Sequence, residues 1–387
     1  MLNKIFICIL SLLFALLAVP AFATAAPNPA SESYYAMEQQ LTHKEIAQIF
    51  NLPYPLPLFQ LERTVEELKA SCQTWDIPTP PDAQSQEWYR AATTLHAIKY
   101  RTVQQHQQML QLYEAAARRG HYTAAKNLTI WYMDGGLVRG GRFKPDPQKA
   151  MFWLEQAIRK HQWMGALEWV PHIMGYRDSG LAKEDYENAY LQAAANKGIA
   201  LAQFQLALVY GDGFKQVEKE KALLACATQQ SLSAALYDLG SYKRNNGFAQ
   251  ESLKLLQEAV MNGNEGGGKA AYVLASAFLE GGLYQQKLQT PTDRTRRTAY
   301  LELDDALRDG RAGIKRNPFY RFPRLNEVLP LPPAKVTEWK GIYSAMSEDD
   351  AKYYQNPPPA EFYLKQVEAA GLLIPLEYLA QPTMDAK

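Results

Sequence analysis

Along the middle of the chain, small, turn-forming and large apolar positions recur in a fixed order, four residues apart. Ala116, Gly120, Ala124, Leu128 and Tyr132 set the order, and Ala194, Gly198, Ala202, Leu206 and Tyr210 repeat it. Looser copies are Ala157, His161, Gly165, Trp169 and Ile173, then Ala227, Ser231, Ala235 and Leu239. A fifth has Ala259 and Gly263, followed after three extra residues by Ala270, Leu274 and Phe278. Positions four apart share one helix face. Each copy therefore reads as the end of one helix, a turn, and the whole of the next. The turn positions lie 41, 37, 33 and 32 residues apart, a period of stacked helix pairs and not of one globular core. Stacks of this kind present long surfaces for holding partners.

The flanks read differently. Glu45, Ile46, Ile49 and Phe50 predict one helix, and Leu61, Val65, Leu68 and Cys72 a second. Pro53, Pro55 and Pro57 separate them. After Pro78, Pro80 and Pro81, a pattern with few breakers predicts one long helix from about Gln84 to Arg118. Gly135, Gly213 and Gly281 each follow a motif aromatic by three residues, where glycine permits the left-handed conformation that ends a helix. Pro147 to Ile158 reads as a second helix with Ala150, Trp153 and Ala157 facing inward, and no repeat segment alternates like a strand. Beyond Leu288, Arg294 opens a helix expected to reach Asp309. An aromatic and proline-rich stretch follows from Asn317 to Arg324, and a last helix spans about Ala360 to Ala370.

The pattern resembles the Sel1-like repeat family, a relative of the tetratricopeptide repeats. The likeness rests on Ala124, Leu128, Tyr132 and Gly135 followed by Asp146, Lys149, Ala150, Trp153 and Ala157. It rests also on Ala202, Leu206, Tyr210 and Gly213 followed by Lys221 and Ala222. The family's small residue after Leu is Thr129, Ala207 or Ala275 here. Trp169 in the second copy and Lys243 at the aromatic position of the fourth predict distortion in both. The expected fold is all-α: a right-handed α-solenoid of about five helix pairs with N- and C-terminal capping regions. Residues 26–83 would form the N-terminal cap, 84–288 the repeats and 289–387 an α-rich C-terminal cap. That last region resembles a domain of unknown function at the C-terminal end of bacterial Sel1-like proteins, and the resemblance implies no chemistry.

Residues 1–25 read as a secretory signal peptide. Lys4 precedes an apolar run from Ile5 to Val19, and Ala21 to Ala25 supplies small-x-small cleavage patterns. The run is too short for a membrane span and no later stretch is apolar enough for one. The expected mature protein is exported to the periplasm without stable membrane insertion. Removing Lys4 leaves 40 basic and 40 acidic residues, a balance that argues against nucleic acid as a partner. Cys72 and Cys226 remain. They either bridge the N-terminal region to the repeats or pack as small buried residues, the second suggested by Ala225 and Ala227 beside Cys226.

Motifs for chemistry fail on inspection. Gly263 to Lys269 imitates a phosphate-binding loop, but Ala270 stands where Ser or Thr would reach magnesium, so the segment reads as a flexible turn. The six histidines form no i, i+4 pair and have no Cys-x2-Cys beside them, so no metal site is recognisable. No Gly-x-Ser-x-Gly elbow occurs. Asp304-Asp305 and Asp349-Asp350 are neighbours that point apart. The basic run from Lys287 to Arg324, ten cations against five acids, suggests either an anionic partner or pairing within the chain. No cofactor and no catalytic residue is expected.

In tetratricopeptide geometry the first helices of each pair line the concave face, and the residue two before the motif Leu points into it. Those residues are Lys126, Leu167, Phe204, Tyr237 and Tyr272, with Arg244 and Lys269 near the same face. Aromatic anchors with a few charges suit a protein partner. The resemblance implies a non-enzymatic periplasmic binding protein. Its most concrete form is an immunity protein, since exported Sel1-like proteins in some bacteria neutralise secreted antibacterial toxins, phospholipases among them. Alternatives are an envelope assembly scaffold and an enzyme working through the C-terminal region on cell-wall or lipid material.

Overall fold

The computed structural model describes residues 35, 40–72, 81–139, 141–159, 164–309, 316–336, 338–379 and 382–384. The expected signal peptide and the turn residue His161 lie outside them. Two helices precede the repeats, α1 (His43–Ile49) and α2 (Val65–Ala70). Six antiparallel pairs follow. The first is α3 (Ala83–His96) with α4 (Val103–Arg118), the second α5 (Tyr122–Asp134) with α6 (Pro147–Arg159). The third is α7 (Val170–Met174) with α8 (Lys183–Asn196), the fourth α9 (Ala200–Leu208) with α10 (Val217–Gln229). The fifth is α11 (Ser233–Asn245) with α12 (Ala249–Met261). The sixth pairs α13 (Asn264–Ala277) with α15 (Arg294–Asp304) across the short α14 (Leu283–Leu288). The C-terminal region adds α16 (Leu325–Val328), α17 (Glu348–Gln355) and α18 (Ala360–Ala369).

The recurring motif is the core of this stack. Ala124, Leu128, Ala202, Tyr210, Ala235, Ala270, Leu274 and Phe278 are buried, because alanine lets helices approach and the larger side chains fill what remains. The expected long helix is instead the first pair. Thr102 caps α4 in a box, accepting from Gln105 N while Gln105 Oε1 accepts from Thr102 N at 2.9 Å. Arg101 closes α3 by donating to the carbonyls of Leu95, His96 and Ile98. The second copy is distorted as expected: its first helix is a 3-10 turn over Met164–Glu168 followed by one turn of α7. The fourth copy is regular, since Lys243 turns outward to Glu251, 2.5 Å away, and lies over Phe248.

Gly135 and Gly281 take positive φ, 65° and 69°, as their positions predict. Gly213 does not. There α9 runs on into a π turn over Val209–Gly213, and Lys215 carries the positive φ of 58°. The Gly263–Lys269 segment is no flexible turn. Apart from Gly263 itself it is the start of α13, and its glycines are places of close approach.

Among the described residues, one small sheet interrupts the helices. β1 (Gly136–Val138) and β2 (Gly141–Phe143) form a hairpin between α5 and α6, and β3 (Pro382–Met384) pairs antiparallel with β2. Three-residue strands are too short to show alternation in sequence.

The flanking regions are placed differently from two end caps. The N-terminal segment runs along the second helices of the pairs. Leu41 N donates to Glu155 of α6 at 2.7 Å, and His43 Nδ1 meets Tyr190 Oη of α8 at 2.8 Å. Lys219 Nζ of α10 donates to Leu61 O at 2.7 Å, and α2 packs on α10. Cys72 is bonded to Cys226 there, Cα atoms 5.5 Å apart. Cys226 is thus both buried, as its alanine neighbours suggest, and bridged. The C-terminal region covers both ends of the stack. Phe322, Leu325, Leu329 and Ile342 seal the last pair against Ala299, Tyr300 and Leu303. Farther on, α18 packs on α3 and α4, placing Tyr363, Val367 and Ile374 in the core of the first pairs. Terminal repeats expose an apolar end, and one region here supplies both covers.

Candidate functional site

Each expected partner-facing residue has a definite place. Lys126 on α5 lies over the Trp169 ring, 6.0 Å from its centroid. Leu167 is fully buried and offers no surface, because the 3-10 turn that replaces a helix in the third pair rolls it into the core. Phe204 and Tyr237 are partly buried, packed on the two core clusters. Tyr272 is 49% exposed, with the Arg308 guanidinium 5.8 Å from its ring. Lys269 pairs with Glu265 at 3.0 Å. Arg244 lies over Tyr284, 4.7 Å from the centroid, at the end of α11.

The structure gathers these into separate groups. Around Lys126 stand Trp169, Glu168 and Gln205, the last donating to Glu168 Oε1 at 3.1 Å. Burial pushes the Glu168 carboxyl up to about 7, against the pull of Lys126 and the Gln205 hydrogen bond. Around Lys269 and Tyr272 stand Arg308 and Asp238, whose carboxyl is raised to about 6 by burial, with Glu220 and Asp212 adding to the rise. Sequence reasoning passed over Glu168 and Asp238 because each sits beside an apolar position and shows its burial only after folding.

The Glu168 shift has a stability consequence. Its folded pKa lies above the unfolded value near 4.5. The protonated folded form is favoured up to that unfolded value, and the advantage is lost as pH rises to about 7. The Glu168→Gln variant keeps the contact to Gln205 without the charge. It is expected to gain little at pH 4.5 and roughly 3 kcal/mol at pH 8 over the wild type. Urea denaturation at both pH values checks this, and an equal effect at both would show that Glu168 does not titrate in the fold.

The row of first helices is partly covered. Arg90 of α3 pairs with Asp350 at 3.3 Å and lies over Tyr353. Phe319 meets His96 with ring centroids 5.3 Å apart, and Trp88 Nε1 donates to Gln366 at 3.2 Å. Three cations of the basic run are answered inside the chain: Arg296 by Asp293, Arg308 by Asp304 and Arg324 by Glu327. His96 and His106 are held neutral, lowered to about 3 by burial and by the charge of Arg101. His106 stacks on Phe143 at 4.0 Å, so both histidines serve packing.

Half of the exposed large apolar side chains among the described residues lie on one edge. Tyr100, Tyr176, Val217, Phe248, Leu279 and Leu283 all lie at or beside the connection from the first to the second helix of a pair. First helices run parallel to one another, so these connections share an edge of the stack. Among the described residues, the opposite turns carry none of them. Also among the described residues, no group of three metal-ligating side chains occurs, and no helix is long and apolar enough to cross a membrane.

No family model matches the chain, and no curated protein does. Solved structures do. A Pseudomonas aeruginosa protein, PA5086, is 27% identical and matches 68% of this chain and 94% of its own, with a TM-score of 0.52. The Pseudomonas aeruginosa immunity protein Pa5087 is 28% identical over 67% of this chain and 92% of its own, with a TM-score of 0.50. A Sel1 repeat protein from Oxalobacter formigenes is 20% identical, covering 77% of this chain and 97% of its own, at a TM-score of 0.24, too low for the superposition to decide the repeat type.

Proposed function

We propose that this chain is a non-catalytic binding protein that neutralises a secreted antibacterial effector by holding it. The observation that carries the reading is the likeness to the immunity protein Pa5087 over two thirds of the chain. The architecture is compatible with it: a stack of helix pairs tied by straps on its outer helices and at both ends, with polar and aromatic side chains left along its faces and edge. Placement in the periplasm follows from the leader pattern of residues 1–25 and suits the Cys72–Cys226 bridge, which an oxidising compartment preserves.

The test is a contact-dependent competition. A strain lacking the gene is expected to lose at least tenfold in viable count against its parent, and the full-length chain supplied in trans is expected to restore it. Equal survival of the deletion strain and the parent would remove the immunity reading.

A further inference from the structure

On one stretch of the exposed edge, a cation is left unanswered beside apolar side chains. Arg244 ends α11 with its guanidinium over Tyr284 of α14. Its Nε and Nη1 are enclosed and have no hydrogen-bond partner, while Nη2 is not among the enclosed atoms. No carboxylate of the described residues pairs with it, although its neighbour Lys243 has Glu251. Among the described residues, Lys287 donates to an amide, Asn245 Oδ1 at 3.2 Å, and to no carboxylate. On the same edge are Leu283, 62% exposed and next in sequence to Tyr284, and Phe248, 49% exposed, whose ring lies under Lys243, with α14 packed on both α11 and α12. An unpaired, half-desolvated guanidinium is a burden to the free protein. A guanidinium stacked on tyrosine, with exposed apolar side chains on the same edge, is what binding hot spots are made of.

Resting on the reading of the chain as an effector-binding protein, we propose that Arg244, Tyr284, Phe248 and Leu283 form the docking point for a carboxylate-bearing apolar segment of the effector. A carboxylate at Nη2 answers the charge that the chain leaves open, Lys287 adds a second cation, and Phe248 and Leu283 bury apolar neighbours of that acid. The argument for a protein acid is charge complementarity in a narrow patch. The two cations, Arg244 over the Tyr284 ring and Lys287 against Asn245, are single charges set among apolar side chains.

The experiment uses the full-length chain in the protected strain, with the photo-crosslinking residue benzoylphenylalanine placed at Phe248, at Leu283 or, as a control on the same edge, at Tyr100. During attack by the parent, positions 248 and 283 are expected to capture one and the same effector through a peptide containing Asp or Glu, and position 100 is not. Replacing Arg244 by methionine is expected to weaken effector binding by on the order of 30-fold and to leave the melting temperature unchanged or higher, because methionine keeps a contact to the Tyr284 ring and no internal carboxylate or hydrogen bond is lost. A clear fall in melting temperature with binding retained would make Arg244 structural and overturn the proposal. Capture at neither 248 nor 283, with protection intact, overturns the docking point and leaves the immunity reading standing. A deletion strain that is not sensitive overturns both. Sedimentation with phosphatidylglycerol vesicles that depends on Phe248 and Leu283 would reassign the patch to lipid.

Discussion

Replacing Gly266 by valine is expected to lower stability by about 3 kcal/mol or more. A Cβ at this position would lie 2.5 Å from Ala234 N and from Ser233 C, and 2.6 Å from Ser233 O. All three are backbone atoms at the start of α11, so no side-chain rotation relieves the overlap, and α11 and α13 must separate. Gly267 meets a similar limit, 2.7 Å from Ala259 O. Gly247 is the control. It has a positive φ of 84° and nothing within 4 Å, so Gly247→Ala carries only backbone strain of about 1 kcal/mol. Urea unfolding followed by circular dichroism compares Gly266→Ala, Gly266→Val and Gly247→Ala. If Gly266→Ala costs no more than Gly247→Ala, the two helices are not as close as described.

Removing the Cys72–Cys226 bridge is expected to cost about 3 kcal/mol. The bond joins positions 154 residues apart. Closing so long a loop constrains the unfolded chain strongly, by roughly 5 kcal/mol in the chain-entropy account, with 2–4 kcal/mol the usual measured range. The folded chain also loses the anchor that holds α2 on α10, leaving hydrogen bonds such as Lys219 to Leu61 O and Tyr210 to Gln60 O. The double variant Cys72→Ser/Cys226→Ser should melt lower than the oxidised wild type and show faster proteolysis within residues 40–72. Reductant should bring the wild type to the same melting temperature and leave the double variant unmoved. A wild type indifferent to reductant would mean that packing alone holds the strap.

How much of this was legible beforehand depends on the range of the interactions involved. Ala124, Leu128 and Tyr132 announce their helix and its buried face because four-residue spacing is a property of the helix itself. The division of α3 from α4 was also written locally, in Thr102 and Gln105, but a capping box without proline or glycine is easily read through. The glycines of α13 look like a turn because their use is met only at the backbone of α11, far off in sequence. The partner-facing residues were the least legible. Leu167 holds the expected register yet is buried, since that register presumes a full helix where the chain makes a 3-10 turn. Arg244 was found by position, but its lack of an internal acid could not be seen from its neighbours in sequence.

By itself, then, the sequence determined the helix pairs, their spacing and the small-residue faces that bring them together, all of which depend on contacts within one or two turns. The tertiary structure decided where the two flanking regions go. The N-terminal strap lies along α6, α8 and α10, and the C-terminal region reaches from α15 back to α3, β2 and α4. Those placements come from apolar surface left exposed at the ends and outer side of a finished stack, a surface that exists only once the pairs have assembled. The same holds for Arg244, whose want of an acid shows only once folding has given its neighbour Lys243 the carboxylate of Glu251.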